Sequence, residues 1–212
     1  MITGIKRLIT IDPEKLQTPT GRRSFFAEIA VAAGAVSLAP AILRGLNPRG
    51  RAWALAAQQG GETEDLTDIE ILQYALTLEY LEATFYLRGD NASPLPGGAT
   101  IAQIDPDGNG LPGTVTGLAA VTPRAPATFS VPTFVRAVRN HEIEHVLFLQ
   151  GALGAAALPR AEFEFTFPPG TFDSADAFLT LAQTLEDTGV TAYLGQVPNI
   201  DSVDILVDAG TI

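Results

Sequence analysis

The sequence predicts an all-α fold, an up-and-down bundle with a long first connection and a crossover, and three observations predict it. Three segments, at about 66–87, 131–157 and 175–196, place apolar side chains at three- and four-residue spacing, the period of a helix with one buried face. A pattern of thirteen residues occurs twice: "ALTLEYLEATFYL" (75–87) and "AQTLEDTGVTAYL" (182–194) share Ala, Thr, Leu, Glu, Thr, Tyr and Leu at an offset of 107. An internal repeat of this kind means that one structural unit is used twice. Finally, about seventeen residues join the second and third helices, and at ~3.3 Å each they can span a bundle ~30 Å long. Helices two and three then run roughly parallel.

The first fifty residues differ from the rest. Eight of the 13 basic residues lie in the first 51 positions, with three acids, so residues 52–212 hold five basic and 21 acidic groups and no lysine. A body with a net charge of −16 repels phosphate backbones, which argues against nucleic acid as a partner. The absence of cysteine excludes disulfides and thiolate metal sites, so a metal would rest on carboxylates and imidazoles. Within the basic stretch, "GRRSFFAEIAVAAGAVSLAPAILRG" (21–45) sets Arg22 and Arg23 before an apolar run, with small-x-small sites at 39–41 and 54–56. This resembles a twin-arginine export signal, and it implies an exported, periplasmic or extracellular, protein with residues 1–56 as signal and linker and no stable membrane span once the signal is removed. The other readings of the stretch are an uncleaved anchor and a helix of the folded domain.

The bundle domain is expected over 57–212. Glu62, Glu64, Asp65 and Asp68 lead into the first helix, which stops at Arg88-Gly89-Asp90-Asn91. Residues 89–130, rich in Gly, Pro, Asn and Thr, form a long irregular insertion. Ser130 and Pro132 suit the start of the second helix. In the crossover, Phe163, Phe165 and Phe167 alternate with polar residues, as in one extended segment covering the core. Asp173 or Ser174 can cap the third helix. The final "NIDSVDILVDAGTI" begins another apolar pattern, so the chain offers three helices and a stub.

Chemistry is written into the helical stripes. At ~100° per residue, Leu72, Ala75, Glu79, Ala83 and Tyr86 share one face of the first helix, and Leu179, Ala182, Glu186, Val190 and Tyr193 share one face of the third. A carboxylate inside an apolar stripe needs a partner or a cation. The second helix, "RNHEIEHVLFL" (139–149), carries Glu142 and His145 among Val131, Val135, Val138, Val146 and Leu149, with Glu144 on the opposite side. Two single glutamates and a Glu-x-x-His facing one interior form the ligand pattern of carboxylate-bridged di-iron and di-manganese proteins. Hard oxygens with imidazole suit Fe or Mn, and carboxylates bridge two cations that would otherwise repel each other.

The stretches "LTLEYLEATFY", "HEIEHVLFLQGALG" and "LEDTGVTAYLG" resemble the ferritin-like superfamily, in its exported branch related to desiccation-associated proteins. The resemblance covers about 64–212. It implies Glu79, Glu142, His145 and Glu186 as metal ligands and Fe or Mn as cofactor, two ions in a complete site. It implies Fe(II) oxidation or peroxide removal as the chemistry, with a non-catalytic stress-response envelope protein as the alternative. It places Tyr86 and Tyr193 around the ligands, each hydroxyl expected to hold a ligand carboxylate. By helix spacing Glu82 lies one turn from Glu79 on the same side, where it reads as a residue beside the ligands or a solvated one, with an alternative ligand as the other reading. The family pattern has a second Glu-x-x-His, which the repeat would put near 249, past Ile212. A fragment, a homo-oligomer in which a second copy supplies that helix, and a half-site are all open.

Two further motifs compete. "HEIEH" also satisfies H-E-x-x-H, a zinc-protease helix with His141 and His145 as ligands, but no histidine follows it to complete the set. "DPDGNG" (105–110) puts Asp105, Asp107 and Asn109 at the first positions of a calcium loop, although position 12 is Thr116.

Overall fold

The computed structural model describes residues 6–32, 67–122, 130–196, 200–202 and 207. Along them run β1 (Arg7–Thr10), α1 (Pro13–Leu16), α2 (Pro19–Ala32), α3 (Asp68–Gly89), α4 (Ile101–Ile104), α5 (Val131–Leu153), β2 (Phe163–Thr166) and α6 (Ala175–Gln196). The three long helices expected from the sequence are α3, α5 and α6.

α3 opens on a reciprocal cap that the acidic lead-in did not reveal. The Thr67 hydroxyl accepts from the Glu70 amide at 3.3 Å, and the Glu70 carboxylate accepts from the Thr67 amide at 2.9 Å. Together they satisfy two amides that a helix start leaves open. Seventeen of the 22 residues of α3 are buried, so it is the central helix, covered all round. Phe26 meets Tyr74 edge-on at 6.3 Å, and the Tyr80 hydroxyl donates to the Leu158 carbonyl at 2.8 Å.

α5 starts with Pro132 in its first turn, but the Ser130 side chain makes no capping bond. The helix ends at Leu153, short of the expected 157, because Gly154 turns to φ 52° and a 3-10 turn follows. Gln73 Nε2 donates to the Ala156 carbonyl, Gln150 Nε2 to Tyr80 Oη, and Arg139 Nη1 to the Asp90 carbonyl. Rising numbers on α3 thus meet falling numbers on α5, an antiparallel pair.

β2 carries the crossover as expected. Phe163, Phe165 and the following Phe167 point into the core, and β2 pairs in parallel with β1, Arg7 opposite Phe163. At the start of α6 the Ser174 hydroxyl accepts from the Ala177 amide. Phe178 then stacks on Phe85 at 4.6 Å, in space that a side chain at Gly89 would fill. With Phe178 near the end of α3 and Tyr193 reaching back to Glu79, α6 is antiparallel to α3. It therefore runs roughly parallel to α5, the sense the crossover requires. One residue leaves the expected stripe outward: Val190 is 58% exposed.

The basic first stretch is folded onto this body over 6–32. Ile9, Ile11, Leu16, Phe25, Phe26 and Ile29 are buried, and Arg22 Nη1 donates to the Leu16 carbonyl. Over 6–32 the stretch is thus a short strand and two helices packed on the bundle, and the apolar run beyond residue 32 lies outside the described residues. The small-x-small sites and Glu62, Glu64 and Asp65 lie outside the described residues. Of the final stretch, Asp201 and Ser202 donate their amides to the Asp68 carboxylate. Among the described residues no helix is long and apolar enough to cross a membrane.

Candidate metal centre

Antiparallel packing brings α3 and α5 together at mid-height. Glu79 is 1% exposed and Glu142 5%, while the side chain of His145 is half-buried. His145 Nδ1 lies 3.1 Å from Glu79 Oε2 and 3.1 Å from Glu142 Oε2. Among the described residues these three form the one group of metal-type donors whose ligand atoms all lie within 4.8 Å of one another. A single ring N–H cannot serve two carboxylates at full strength. A cation with bonds of ~2.1 Å, by contrast, spaces neighbouring ligand atoms ~3 Å apart.

Glu186 stands next to this triplet without entering it. Its Oε1 accepts the Tyr86 hydroxyl at 2.7 Å, and Glu79 Oε1 accepts the Tyr193 hydroxyl at 2.5 Å. The tyrosine of each repeat copy therefore holds the glutamate of the other copy. This crossing follows from the antiparallel run of α3 and α6: seven residues beyond its own glutamate, each tyrosine has reached the level of the opposite one. Sequence spacing indicated a tyrosine near a carboxylate; which carboxylate depends on helix direction.

The electrostatics of the group are those of a surplus of acid. Burial pushes Glu142 up to about 8, against the hydrogen bond from His145 and with the charges of Glu79 and Glu186 adding to it. Burial alone would lower His145, but hydrogen bonds to Glu142 and Glu79, and their charges, hold it at about 10. Burial also raises Glu186, with the Tyr86 hydrogen bond opposing. Burial and the neighbouring carboxylates push both tyrosines far up, so their hydroxyls stay donors. Without a metal ion, protons hold the place of positive charge here, above all on the imidazole between two carboxylates.

Glu82 belongs to this group more closely than its sequence position alone indicated. It is 6% exposed, and burial followed by the charges of Glu79, Glu142 and Glu186 drives it well above the ordinary carboxylate range. The available signal was a Glu-x-x-Glu spacing on the apolar face of α3.

The competing motifs are placed elsewhere. His141 is exposed while Glu142 is buried, so the two histidines of "HEIEH" do not converge; Glu144 is also exposed. The calcium-loop residues have other partners. Asp105 takes Arg88 Nε and Nη2 at 2.8 Å each, together with the Gly108 and Gly110 amides. Asp107 pairs with Lys6, and Asn109 is exposed in a turn at φ 49°. The Asp105 carboxylate is thus shared by a guanidinium and two amides, a structural role within the turn.

The donor set fits the implied metals. Two carboxylates and an imidazole converge, the buried Glu82 and the half-buried Glu186 adjoin them, and hard oxygen with nitrogen suits iron or manganese. The family model of the ferritin-like domain matches residues 67–212 of the 212-residue chain. No curated protein and no solved structure gives a significant match.

Proposed function

The chain belongs to the ferritin-like domain family, and from that premise we propose that it binds iron or manganese at its carboxylate/histidine centre and serves Fe(II) oxidation or peroxide removal. The observation that carries this reading is the meeting of Glu79, Glu142 and His145 around one small volume, with a buried surplus of negative charge. In this reading Glu79, Glu142 and His145 hold the ion and Glu186 extends the site. Tyr86 and Tyr193 fix the orientation of Glu186 and Glu79. A bound iron or manganese ion would supply Lewis acidity and electron transfer. The chain's own residues exclude bulk water and neutralise the ion, and His145 and Glu142 give up to it the protons they hold in its absence.

The test is metal content. Protein purified after growth with iron and manganese should carry one of them, and Glu142→Ala should lose it. Reconstituted protein should then oxidise Fe(II) with oxygen or peroxide faster than the variant does. Protein that takes up no metal, and whose stability ignores Glu142→Ala, would end the reading in favour of a non-catalytic bundle. Export is part of the proposal and rests on Arg22, Arg23 and the apolar run after them. Changing both arginines to lysine should retain the protein inside the cell, and unaltered export would remove that part alone.

A further inference from the structure

The N-terminal stretch puts the same side chains to two incompatible uses. Its export pattern is carried by Arg22, Arg23 and the phenylalanines that follow them. In the folded chain those phenylalanines are core. Phe25 is 3% exposed and Phe26 8%, Ile29 is fully buried one turn on, and Phe26 rests edge-on against Tyr74 of α3. Arg22 is half-buried, and its Nη1 donates to the Leu16 carbonyl at 2.9 Å. A receptor that takes the guanidinium groups with carboxylates and the phenyl rings with an apolar surface needs these groups free.

What holds the stretch in place is separate from the helix packing of the bundle. β1 adds to the edge of β2 as a parallel strand, and the Ile11 amide donates to the Thr166 carbonyl at 2.9 Å. Ile9, Ile11 and Leu16 are buried, Lys6 pairs with Asp107, and Arg7 lies 3.4 Å from Glu162. Gly21 lets α2 fold back against α1, because a side chain there would run into the Lys15 carbonyl. The ferritin-like domain itself begins at residue 67, so the stretch is an addition to that domain and not one of its helices.

We propose that residues 6–32 form a strap that closes over its own export signal. Docked on the bundle, the strap hides Arg22 and the two phenylalanines; the export receptor binds the chain only when the strap has come off. The inference rests on the export reading above and adds a control to it. Receptor binding then scales with the fraction of chains whose strap is released, so strand pairing a dozen residues from the arginines governs how readily they are read.

The strap can be locked without touching the arginines or the core. Leu8 and Glu164 are partners across β1 and β2, and both are exposed. Paired strands lie ~4.8 Å apart, a span that a disulfide bridges, and the chain has no cysteine of its own. The test uses the full chain carrying Leu8→Cys with Glu164→Cys, oxidised or reduced, beside a variant carrying Ile9→Asp with Ile11→Asp, which unseats β1. Trypsin cleavage after Arg22 or Arg23, read by mass spectrometry, follows release of the strap. Binding to inverted membrane vesicles that carry the twin-arginine translocase follows reading of the signal.

The oxidised lock should be cut, and should bind vesicles, about tenfold less than wild type. Reduction should restore both, and the unseated variant should exceed wild type in both. A cysteine pair that forms no disulfide, or wild type cut as fast as the unseated variant, shows that the strap is not docked. Equal vesicle binding by the oxidised and reduced lock shows that docking does not hide the signal. Each of these results ends this inference alone. Vesicle binding by no form, the unseated variant included, ends the export reading with it.

Discussion

Two buried polar clusters lie along α3, about two turns apart, and they are built on opposite principles. Around Arg88 the charges are matched. Both oxygens of the fully buried Asp105 are taken by Arg88, and Arg160 donates to the carbonyls of Ile104 and Phe163 and to Thr84 while lying 4.6 Å over the Phe165 ring. Asp107 adds a second carboxylate, 3.7 Å from Arg160. Around Glu79 the charges are not matched: Glu79, Glu82, Glu142 and Glu186 face a single imidazole. A cluster whose carboxylates each face a guanidinium fastens the crossover and the loop to the bundle. A cluster with surplus acid is incomplete as protein alone, and that separates a structural knot from a site.

The sharpest way to break this contrast is to remove one charge from each cluster. Arg160→Met should cost about 3–5 kcal/mol, because it strips donors from two carbonyls and leaves two carboxylates short of a buried counter-charge. Urea unfolding would measure the loss, while metal bound per folded chain should not change. Glu142→Gln should do the reverse, leaving apo stability at or above wild type and abolishing tight metal binding. Equal destabilisation by the two changes would show that both clusters are structural.

The pH dependence should separate them next, with opposite signs. His145 is raised from 6.5 to about 10, so its contribution is complete below 6.5 and lost as pH rises through 10. Glu142 is raised from 4.5 to about 8, so the folded chain keeps a proton that the unfolded chain releases across that window. Both effects make the apo protein less stable as pH rises between 4.5 and 10, by about 1.4 kcal/mol per pH unit for each extra proton held. Asp105 goes the other way. Burial would raise it, but Arg88 and the two amides lower it below 3.8, so its contribution is present above 3.8 and lost on acidification below that. Since metal displaces the protons of the centre, Mn(II) affinity should rise over the range in which apo stability falls. Apo melting temperatures flat from pH 5 to 9 would deny the surplus of acid.

The bundle was legible because helices two and three differ from loops by period, and the crossover because three alternating phenylalanines read as extended chain. Glu79, Glu142 and His145 were legible because a carboxylate in an apolar stripe is expensive. The knot was not: Asp105, Arg88 and Arg160 come from three separate segments, and nothing in a linear pattern pairs an arginine at 160 with a threonine at 84. "DPDGNG" carried a calcium-like spacing, yet the partner of a carboxylate is set by what packs against it. Val190 failed for a related reason. A stripe says which residues share a face, and it does not say how far along the helix that face stays covered. The N-terminal segment carries both an export pattern and core residues such as Phe26, and local composition cannot rank the two.

The crossed tyrosines allow the smallest and most discriminating test. Tyr193→Phe removes a 2.5 Å bond to the buried Glu79, and Tyr86→Phe a 2.7 Å bond to the half-buried Glu186. A hydrogen bond to a charged group is worth about 1.5–3 kcal/mol, and water can replace part of that at the more open Glu186. Tyr193→Phe should therefore lower apo stability by about 1.5 kcal/mol and Tyr86→Phe by less. If the hydroxyls only fill the core, that is the whole effect. If they hold ligands, each change should also weaken Mn(II) binding about 10–100-fold. The two losses should then differ in size: larger for Tyr193→Phe, whose partner Glu79 belongs to the converging triplet, and smaller for Tyr86→Phe, whose partner Glu186 stands beside it. Such a difference would rank the two tyrosines by the carboxylate each holds, and equal losses would remove that ranking.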